Sequence, residues 1–234
     1  MRIATLLLLL ICLPIVDAGV IRHDRLDASY VDLANEERFS AVGALLYADS
    51  PVPSGDYCSG TLIDTRTVLT AGHCFDDSRA EQDFEFRFGP VTTNLSSVYS
   101  IAGIRRHEDY RDESDLSAKY DIAVFGLDTP VLNIAPVSIH RDGVELGQEV
   151  TIVGYGTTGD GHSGANLPSG TKRAGVNTID ELRNRKLFLG AHSELYYDFD
   201  GPELGAALDL EYNSAPGDSG GALFLVRNLE IPRT

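Results

Sequence analysis

The residues best suited to chemistry lie near the end of the chain, in the glycine-rich stretch from Asn213 to Ala222. Ser219 stands in it between small residues, with Gly217 and Gly221 two positions away on either side. Glycine lets a backbone turn sharply and approach a ligand closely. An exposed serine hydroxyl beside free backbone N–H groups is what nucleophilic attack on a carbonyl requires. The pattern therefore indicates a nucleophile, although a glycine-rich turn without chemistry would contain the same residues.

Two further stretches hold the groups that a serine nucleophile needs. His73 stands beside Cys74, directly after an apolar run, and an imidazole with an ordinary pKa of about 6.5 can accept a proton and return it. Asp121 precedes another apolar run, where a carboxylate can be buried enough to orient a histidine and stabilise its charged form. Each residue alone has a structural interpretation, since His73 is one of six histidines and Asp121 could end a turn.

The spacing Gly217-x-Ser219-x-Gly221 also fits the nucleophile elbow of α/β-hydrolases. That fold requires a helix after the serine and a catalytic histidine further along the chain. Here the residues after Ser219 have the pattern of a strand, and the last histidine of the sequence is His192. The elbow is therefore disfavoured.

A second glycine motif, at residues 154–159, matches the GxGxxG fingerprint of dinucleotide-binding proteins. The fingerprint needs a helix to follow it. Residues 160–164 cannot begin a helix, and we interpret the motif as a flexible glycine loop. We expect no cofactor, and the lack of CxxC and HExxH motifs gives no support for a metal site.

The elements that position these residues are short. From Phe39 onward, β-branched and aromatic runs alternate with Gly, Pro, Asp and Asn, and long amphipathic helices are missing. This pattern predicts an all-β barrel or sandwich, preceded by a signal peptide and an irregular N-terminal arm at 19–38. The predicted strands are 41–47, 59–63, 67–69, 84–88, 98–104, 122–127, 149–154, 174–179, 186–189, 208–212 and 222–226.

The first 18 residues have the features of a signal peptide, with Arg2, a short apolar run and a cleavage site ending at Ala18. We expect a secreted protein, extracellular or periplasmic in a Gram-negative source, with no membrane contact after cleavage. In an exported chain the two remaining cysteines, Cys58 and Cys74, favour a disulfide over two free thiols. The net charge of −16 argues against nucleic-acid binding.

Together, Ala-Gly-His-Cys at 71–74, Asp-Ile-Ala-Val at 121–124 and Gly-Asp-Ser-Gly-Gly at 217–221 resemble the three signatures of trypsin-like (chymotrypsin-fold) serine proteases, in that family's order. The resemblance implies a peptidase domain over 39–234, built from two six-stranded antiparallel β-barrels at about 39–130 and 136–234. The lack of most other family disulfides suggests a bacterial-type member.

The resemblance also implies catalytic roles. Ser219 is the expected nucleophile, His73 the general base and then acid, and Asp121 the residue that orients His73. The backbone N–H groups of Gly217 and Ser219 are expected to form the oxyanion hole. Proteins and peptides are the implied substrates.

Two expectations concern residues beside the nucleophile. Asp218 is expected to accept a charged hydrogen bond from the mature N-terminal amine. Asn213 is expected at the floor of the primary substrate pocket, where its neutral side chain predicts a preference for uncharged residues. Only fifteen residues follow Ser219, fewer than in the family, so the second barrel is expected to be truncated at the C-terminus.

Two functions follow from this sequence. The first is a secreted serine endopeptidase that hydrolyses peptide bonds through a His-Asp-Ser triad and an acyl-enzyme intermediate. The alternative is a non-catalytic protease-fold binding or decoy protein, inactive because pocket elements at the C-terminus are missing. The complete set of three catalytic residue types favours the first.

Overall fold

The structure, a computed structural model, describes residues 20–48, 58–75, 79–93, 97–110, 120–141, 143–187 and 190–225. The predicted signal peptide and the residues after 225 lie outside this part of the chain. Within it the protein is mostly β, as predicted, with one short α-helix. No described helix is long and apolar enough to span a bilayer.

The helix and strands follow one another in chain order. They are β1 (Val20–Ile21), α1 (Asp27–Ala34), β2 (Val42–Tyr47), β3 (Cys58–Asp64), β4 (Thr67–Thr70), β5 (Phe84–Phe88), β6 (Val98–Arg106), β7 (Ala123–Leu127), β8 (Glu149–Gly154), β9 (Thr158–Asp160), β10 (Gly164–Leu167), β11 (Arg173–Thr178), β12 (Glu181–Leu187), β13 (Gly190–Tyr196), β14 (Tyr212–Asn213) and β15 (Ala222–Leu225).

The first half of the chain forms a closed six-stranded barrel in the order β2-β3-β4-β7-β6-β5. Its interior is filled by aromatic rings that meet edge to face, the arrangement that ring quadrupoles prefer. Phe86 and Phe125 lie at the centre, with ring centroids 5.3 Å apart and almost no exposure. Because closure leaves no strand edge unpaired, this barrel is a rigid frame for whatever its ends carry.

The second half is divided among smaller sheets. One has the order β11-β8-β15, a second the order β10-β9-β1-β14, and β12 pairs with β13 as a hairpin. These sheets do not close into a barrel within the described residues. An incomplete second barrel therefore stays a prediction, whereas the mostly β architecture with a six-stranded first barrel is confirmed.

The N-terminal segment differs from the irregular arm that its polar composition predicted. Strand β1 is inserted between β14, with which it is antiparallel, and β9, with which it is parallel. Helix α1 follows, with Tyr30 and Ala34 one turn apart and fully buried. The Tyr30 hydroxyl accepts a hydrogen bond from the Arg22 N–H and donates one to the Glu211 carbonyl. An eight-residue helix shows too little periodicity for recognition from sequence.

Two other predictions about the second half were wrong. The glycine motif at 154–159, interpreted as a flexible loop, has its first residue in β8 and its last two in β9, so that only residues 155–157 lie outside strands. Of the strand predicted at 208–212, residues 209 and 210 form a turn, Glu211 makes an isolated bridge with Val176, and strand β14 begins only at Tyr212.

Candidate active site

His73 and Asp121 are joined by two hydrogen bonds. The His73 Nδ1–H donates to Asp121 Oδ2 at 2.6 Å, and the His73 backbone N–H donates to Asp121 Oδ1 at 2.8 Å. Both oxygens of the Asp121 carboxylate thus accept hydrogen bonds from His73. Because Nδ1 is committed to Asp121, the other ring nitrogen, Nε2, points away from the carboxylate.

Strand register brings these two residues together. In the barrel, Thr70 at the end of β4 pairs with Ala123 at the start of β7. His73 lies three residues after Thr70, in the 3₁₀ turn Gly72–Cys74, and Asp121 lies two residues before Ala123. Antiparallel pairing therefore places both at the same end of the barrel.

Local features fix the orientation of each residue. The predicted disulfide is confirmed between Cys58 and Cys74, so the residue after His73 is tied to β3. On the other side, Tyr120 has a φ of 56°, a left-handed conformation that is uncommon for residues other than glycine. Its ring stacks on His107 at 4.6 Å, which holds the chain as it enters Asp121.

The electrostatic environment keeps Asp121 ionised. Burial opposes the charged form, but hydrogen bonds from the His73 side chain and backbone and from the Gly72 N–H outweigh it and hold the pKa of Asp121 below its ordinary value. A carboxylate that stays charged beside an imidazole stabilises the protonated imidazole.

Ser219 belongs to a loop that is bound to the barrel through Ser59 in β3. The Ser59 N–H donates to the Ser219 carbonyl at 2.8 Å, and the Ser59 hydroxyl donates to the Gly217 carbonyl at 2.9 Å. The same hydroxyl accepts from the Tyr155 N–H at 3.0 Å. Ser59 is buried, so these bonds are shielded from water and fix the loop against β3.

The same loop directs two backbone N–H groups. The Pro216 carbonyl accepts from the Thr157 N–H at 2.9 Å, and the N–H of Gly217 points the opposite way because a trans peptide sets its C=O and N–H on opposite sides. Gly217 has a φ of 98°, which disfavours a residue with a side chain. None of the bonds that hold the loop uses the N–H of Gly217 or Ser219.

A cleft of about 330 Å³ brings the candidate catalytic groups together. His73, Gly217 and Ser219 all line it, beside the disulfide. The full lining is Leu45, Leu46, Tyr47, Cys58, His73, Cys74, Phe84, Pro216, Gly217 and Ser219. The arrangement can present a hydroxyl, an imidazole and two backbone N–H donors to one bound carbonyl.

Asp218 points away from this cleft into the protein. Its Oδ1 accepts from the Gly156 N–H at 2.7 Å, and its Oδ2 accepts from the Ala215 N–H at 2.9 Å and the Tyr212 hydroxyl at 2.8 Å. Burial raises the pKa of Asp218, although the two N–H groups favour the charged form. A Cβ on Gly154 or Gly156 would lie under 3 Å from this carboxyl, so the glycine-aromatic-glycine turn makes room for Asp218.

Asn213, the predicted pocket floor, lies in β14 and is half-buried. It pairs with Val20 of β1 and is not among the residues that line the 330 Å³ cleft. A larger cavity of about 1080 Å³ is lined in part by Asp121, Gly220 and Leu223. The role of Asn213 in specificity stays a prediction.

Four residues that position the site were missed in the sequence: Ser59, Tyr120, Thr157 and Tyr212. Ser59, Tyr120 and Thr157 act through a partner far along the chain or through their backbone, and Tyr212 acts through a hydroxyl bond to Asp218, so no local pattern marks them. The glycine motif at 154–159, interpreted as a loop, gave no indication of this network.

Comparison with known proteins identifies the family. The sequence model of the Trypsin family matches residues 34–230, and the chain therefore belongs to the trypsin family. Because of this match and of its similarity to the relatives below, it is classed with the serine-type endopeptidases. The expectation that the protein is a bacterial-type member of the family stays a prediction.

Two relatives illustrate the range of similarity. Serine proteinase stubble of Drosophila melanogaster is 27% identical over 177 residues, which are 71% of this chain but only 21% of that protein. Trypsin CFT-1 of Choristoneura fumiferana is 27% identical over 227 residues, which are 94% of this chain and 84% of that one.

Among solved structures, the chain resembles that of neuropsin, a serine protease expressed in the limbic system of mouse brain. The TM-score is 0.57 at 20% identity, and the match covers 88% of this chain and 82% of the other. At that identity the likeness concerns the fold alone.

Proposed function

We propose that this protein is a secreted serine endopeptidase that cleaves protein or peptide substrates through Ser219, His73 and Asp121. The observation that carries the proposal is the double hydrogen bond between His73 and Asp121, in a cleft that His73 shares with Ser219. A histidine held through Nδ1 by a carboxylate has Nε2 directed toward a substrate or nucleophile, which is the arrangement that acyl transfer needs.

In the proposed reaction, His73 Nε2 removes the proton from Ser219 Oγ as that oxygen attacks the scissile carbonyl carbon. The carbonyl oxygen becomes an oxyanion that the Gly217 and Ser219 N–H groups stabilise. His73 then protonates the leaving amine, and an acyl-enzyme on Ser219 remains. Water, deprotonated by His73, hydrolyses the ester, and the proton returns to Ser219. Asp121 stabilises the charged imidazole in both halves of the reaction.

Two finer parts of the proposal concern the second half. Val20 pairs with Asn213, a few residues from Asp218, so an amine released just before Val20 would lie near the carboxylate. We propose that this amine joins the Gly156, Ala215 and Tyr212 donors on Asp218 and steadies the nucleophile loop. The neutral Asn213 side chain supports a preference for uncharged substrate residues.

The alternative of a non-catalytic decoy is not favoured. A decoy has no need for a histidine held at two points by a carboxylate.

The test uses the mature chain with a fluorophosphonate probe and a peptide ester. We expect covalent labelling and hydrolysis by the wild type, neither by Ser219→Ala, and a loss of about 10⁴-fold in kcat for Asp121→Asn, because the wrong histidine tautomer would be favoured. Ser138→Ala, at an exposed serine outside the cleft, is the matched control and should behave as the wild type. A folded wild type that takes no label and hydrolyses no ester would refute the proposal.

A further inference from the structure

A second cluster of chemically active side chains lies apart from the cleft. His23, His162 and Glu203 come from three separate segments, and each offers a ligand atom within 4.8 Å of the other two. His23 Nε2 lies 3.2 Å from Glu203 Oε1, and the tilted rings of His23 and His162 have centroids 4.1 Å apart. Neither the triad nor the nucleophile loop includes any of these residues.

The parallel pairing of β1 with β9 explains why the two histidines meet. Ile21 is the partner of Asp160 in that ladder. His23 and His162 each follow this pair by two residues, just beyond the ends of the two strands. The ladder therefore brings the two histidines close together.

Backbone hydrogen bonds hold both histidines in place. The Arg25 N–H donates to the Arg22 carbonyl, which closes a turn with His23 at its second position. On the other strand, Asp160 Oδ1 accepts from the His162 and Ser163 N–H groups at 3.0 and 2.8 Å, so the hairpin tip carrying His162 is closed by its own side chain. The backbone positions of both histidines are thus largely fixed.

Glu203 is supplied by a third segment, the 3₁₀ turn Pro202–Leu204. Proline at its start and Gly205, with a φ of 73°, at its end define the limits of this turn. The Glu203 side chain is about two-thirds exposed, so it can rotate to adjust its distance to an ion.

We propose that His23, His162 and Glu203 form a binding site for a divalent transition-metal ion, with zinc as the ion that the ligands fit best. Two imidazoles and one carboxylate are a ligand set that zinc accepts, with a water in the fourth position. Two ligand atoms at about 2.0–2.1 Å from a tetrahedral zinc lie about 3.3 Å apart, close to the 3.2 Å between His23 and Glu203. Only the His162 ligand atom needs to approach further, and it lies at an exposed hairpin tip.

The bound ion would join β1 to the β9–β10 hairpin and to the 3₁₀ turn Pro202–Leu204. Because Val20 also pairs with Asn213, the ion would hold the N-terminal strand in the sheet that leads to the nucleophile loop. The proposal concerns binding and does not depend on catalysis. The sequence did not predict it, because the three ligands are far apart in the chain and match no motif.

The test measures zinc binding by calorimetric titration and by thermal unfolding, with Ser219→Ala as the background to prevent self-cleavage. We expect one high-affinity zinc ion and a melting temperature that rises with zinc concentration. His162→Asn and Glu203→Gln should each weaken binding at least about tenfold while melting normally without zinc. Magnesium should have no effect, because it does not favour imidazole ligands.

The control is His107→Asn, which removes another exposed histidine outside the cluster and should bind zinc as the background does. Cobalt(II) should give the visible absorption of a four-coordinate ion, lost in His162→Asn. Zinc binding that survives in both His162→Asn and Glu203→Gln, or that disappears only when His73 is replaced, would overturn the proposal, as would no zinc binding at all.

Discussion

The two halves of this protein are stabilised in different ways. The first is a closed barrel whose interior is almost entirely apolar, with Phe86 and Phe125 at its centre. The second has separate sheets and buries charged groups, among them Lys172, Arg173 and Asp218. His73 and Asp121 are attached to the first half, whereas Ser219 is carried by the second.

This difference corresponds to the different structural requirements of the histidine–aspartate pair and of the nucleophile loop. The histidine–aspartate pair needs a fixed distance, which a closed aromatic barrel maintains. The nucleophile loop needs N–H groups left free for a substrate, which requires other polar groups, such as Asp218, to hold the backbone. Buried polar groups are costly when any partner is lost, so we expect the second half to depend less on apolar volume than the first half does, and more on its buried polar groups.

The largest expected effect comes from removing a ring in the barrel. Phe86→Ala should lower the free energy of unfolding by about 4 kcal/mol, because it leaves a cavity that a closed barrel cannot collapse. Phe224→Ala is the matched change in the second half, where the ring is only partly buried against Phe39, and should cost about half as much. Urea denaturation of both variants measures this, and equal losses would contradict the contrast between the halves.

A smaller effect is expected from the buried carboxyl of the second half. Asp218→Ala should destabilise the protein by about 2 kcal/mol, because three donors lose their acceptor while the cost of burying the carboxyl is relieved. Asp160→Ala is the control, since Asp160 also accepts two N–H bonds but at the surface, and should cost under about 1 kcal/mol. Urea denaturation curves of both variants measure this difference in stability. A larger loss for Asp160→Ala than for Asp218→Ala would contradict the interpretation.

The smallest effect concerns pH. The Lys172 ammonium donates to the Phe39 carbonyl at 2.5 Å, and burial lowers the pKa of Lys172 to about 8. The unfolded lysine keeps its proton up to about 10.5, so the unfolded state binds more protons between these values and stability rises with pH. From pH 8 to pH 9 the gain should be about 1 kcal/mol relative to Lys172→Met, which lacks this titration.

Urea denaturation of both proteins at the two pH values gives this difference. Parallel changes in the wild type and Lys172→Met would show that folding does not lower the pKa of Lys172.

Much of the barrel could be predicted from sequence. The barrel strand at 84–88 agrees with the structure to the residue, as does the strand at 149–154 in the second half, because alternating aromatic or β-branched residues between turn residues are a local signal. The second half was less predictable. Strand β1 has only two residues and helix α1 only eight, and both are defined by partners such as Tyr212 and Glu211 that lie nearly two hundred residues away.

The candidate site shows the same division. The residue types of His73, Asp121 and Ser219 stood out because chemistry restricts them and their neighbours. The way in which the protein holds these three residues could not be predicted, because it depends on the pairing of Thr70 with Ala123 and on hydrogen bonds between remote backbone groups. Composition and spacing carry no information about such pairings.

Ser59 has a consequence for how the molecule can move. Its N–H and hydroxyl hold the nucleophile loop, its hydroxyl accepts from Tyr155, and its carbonyl accepts from the Thr70 hydroxyl at 2.7 Å. A shearing displacement of one half past the other would strain these hydrogen bonds together. The nucleophile would then travel with the barrel, close to its histidine, while the outer sheets of the second half absorbed the displacement.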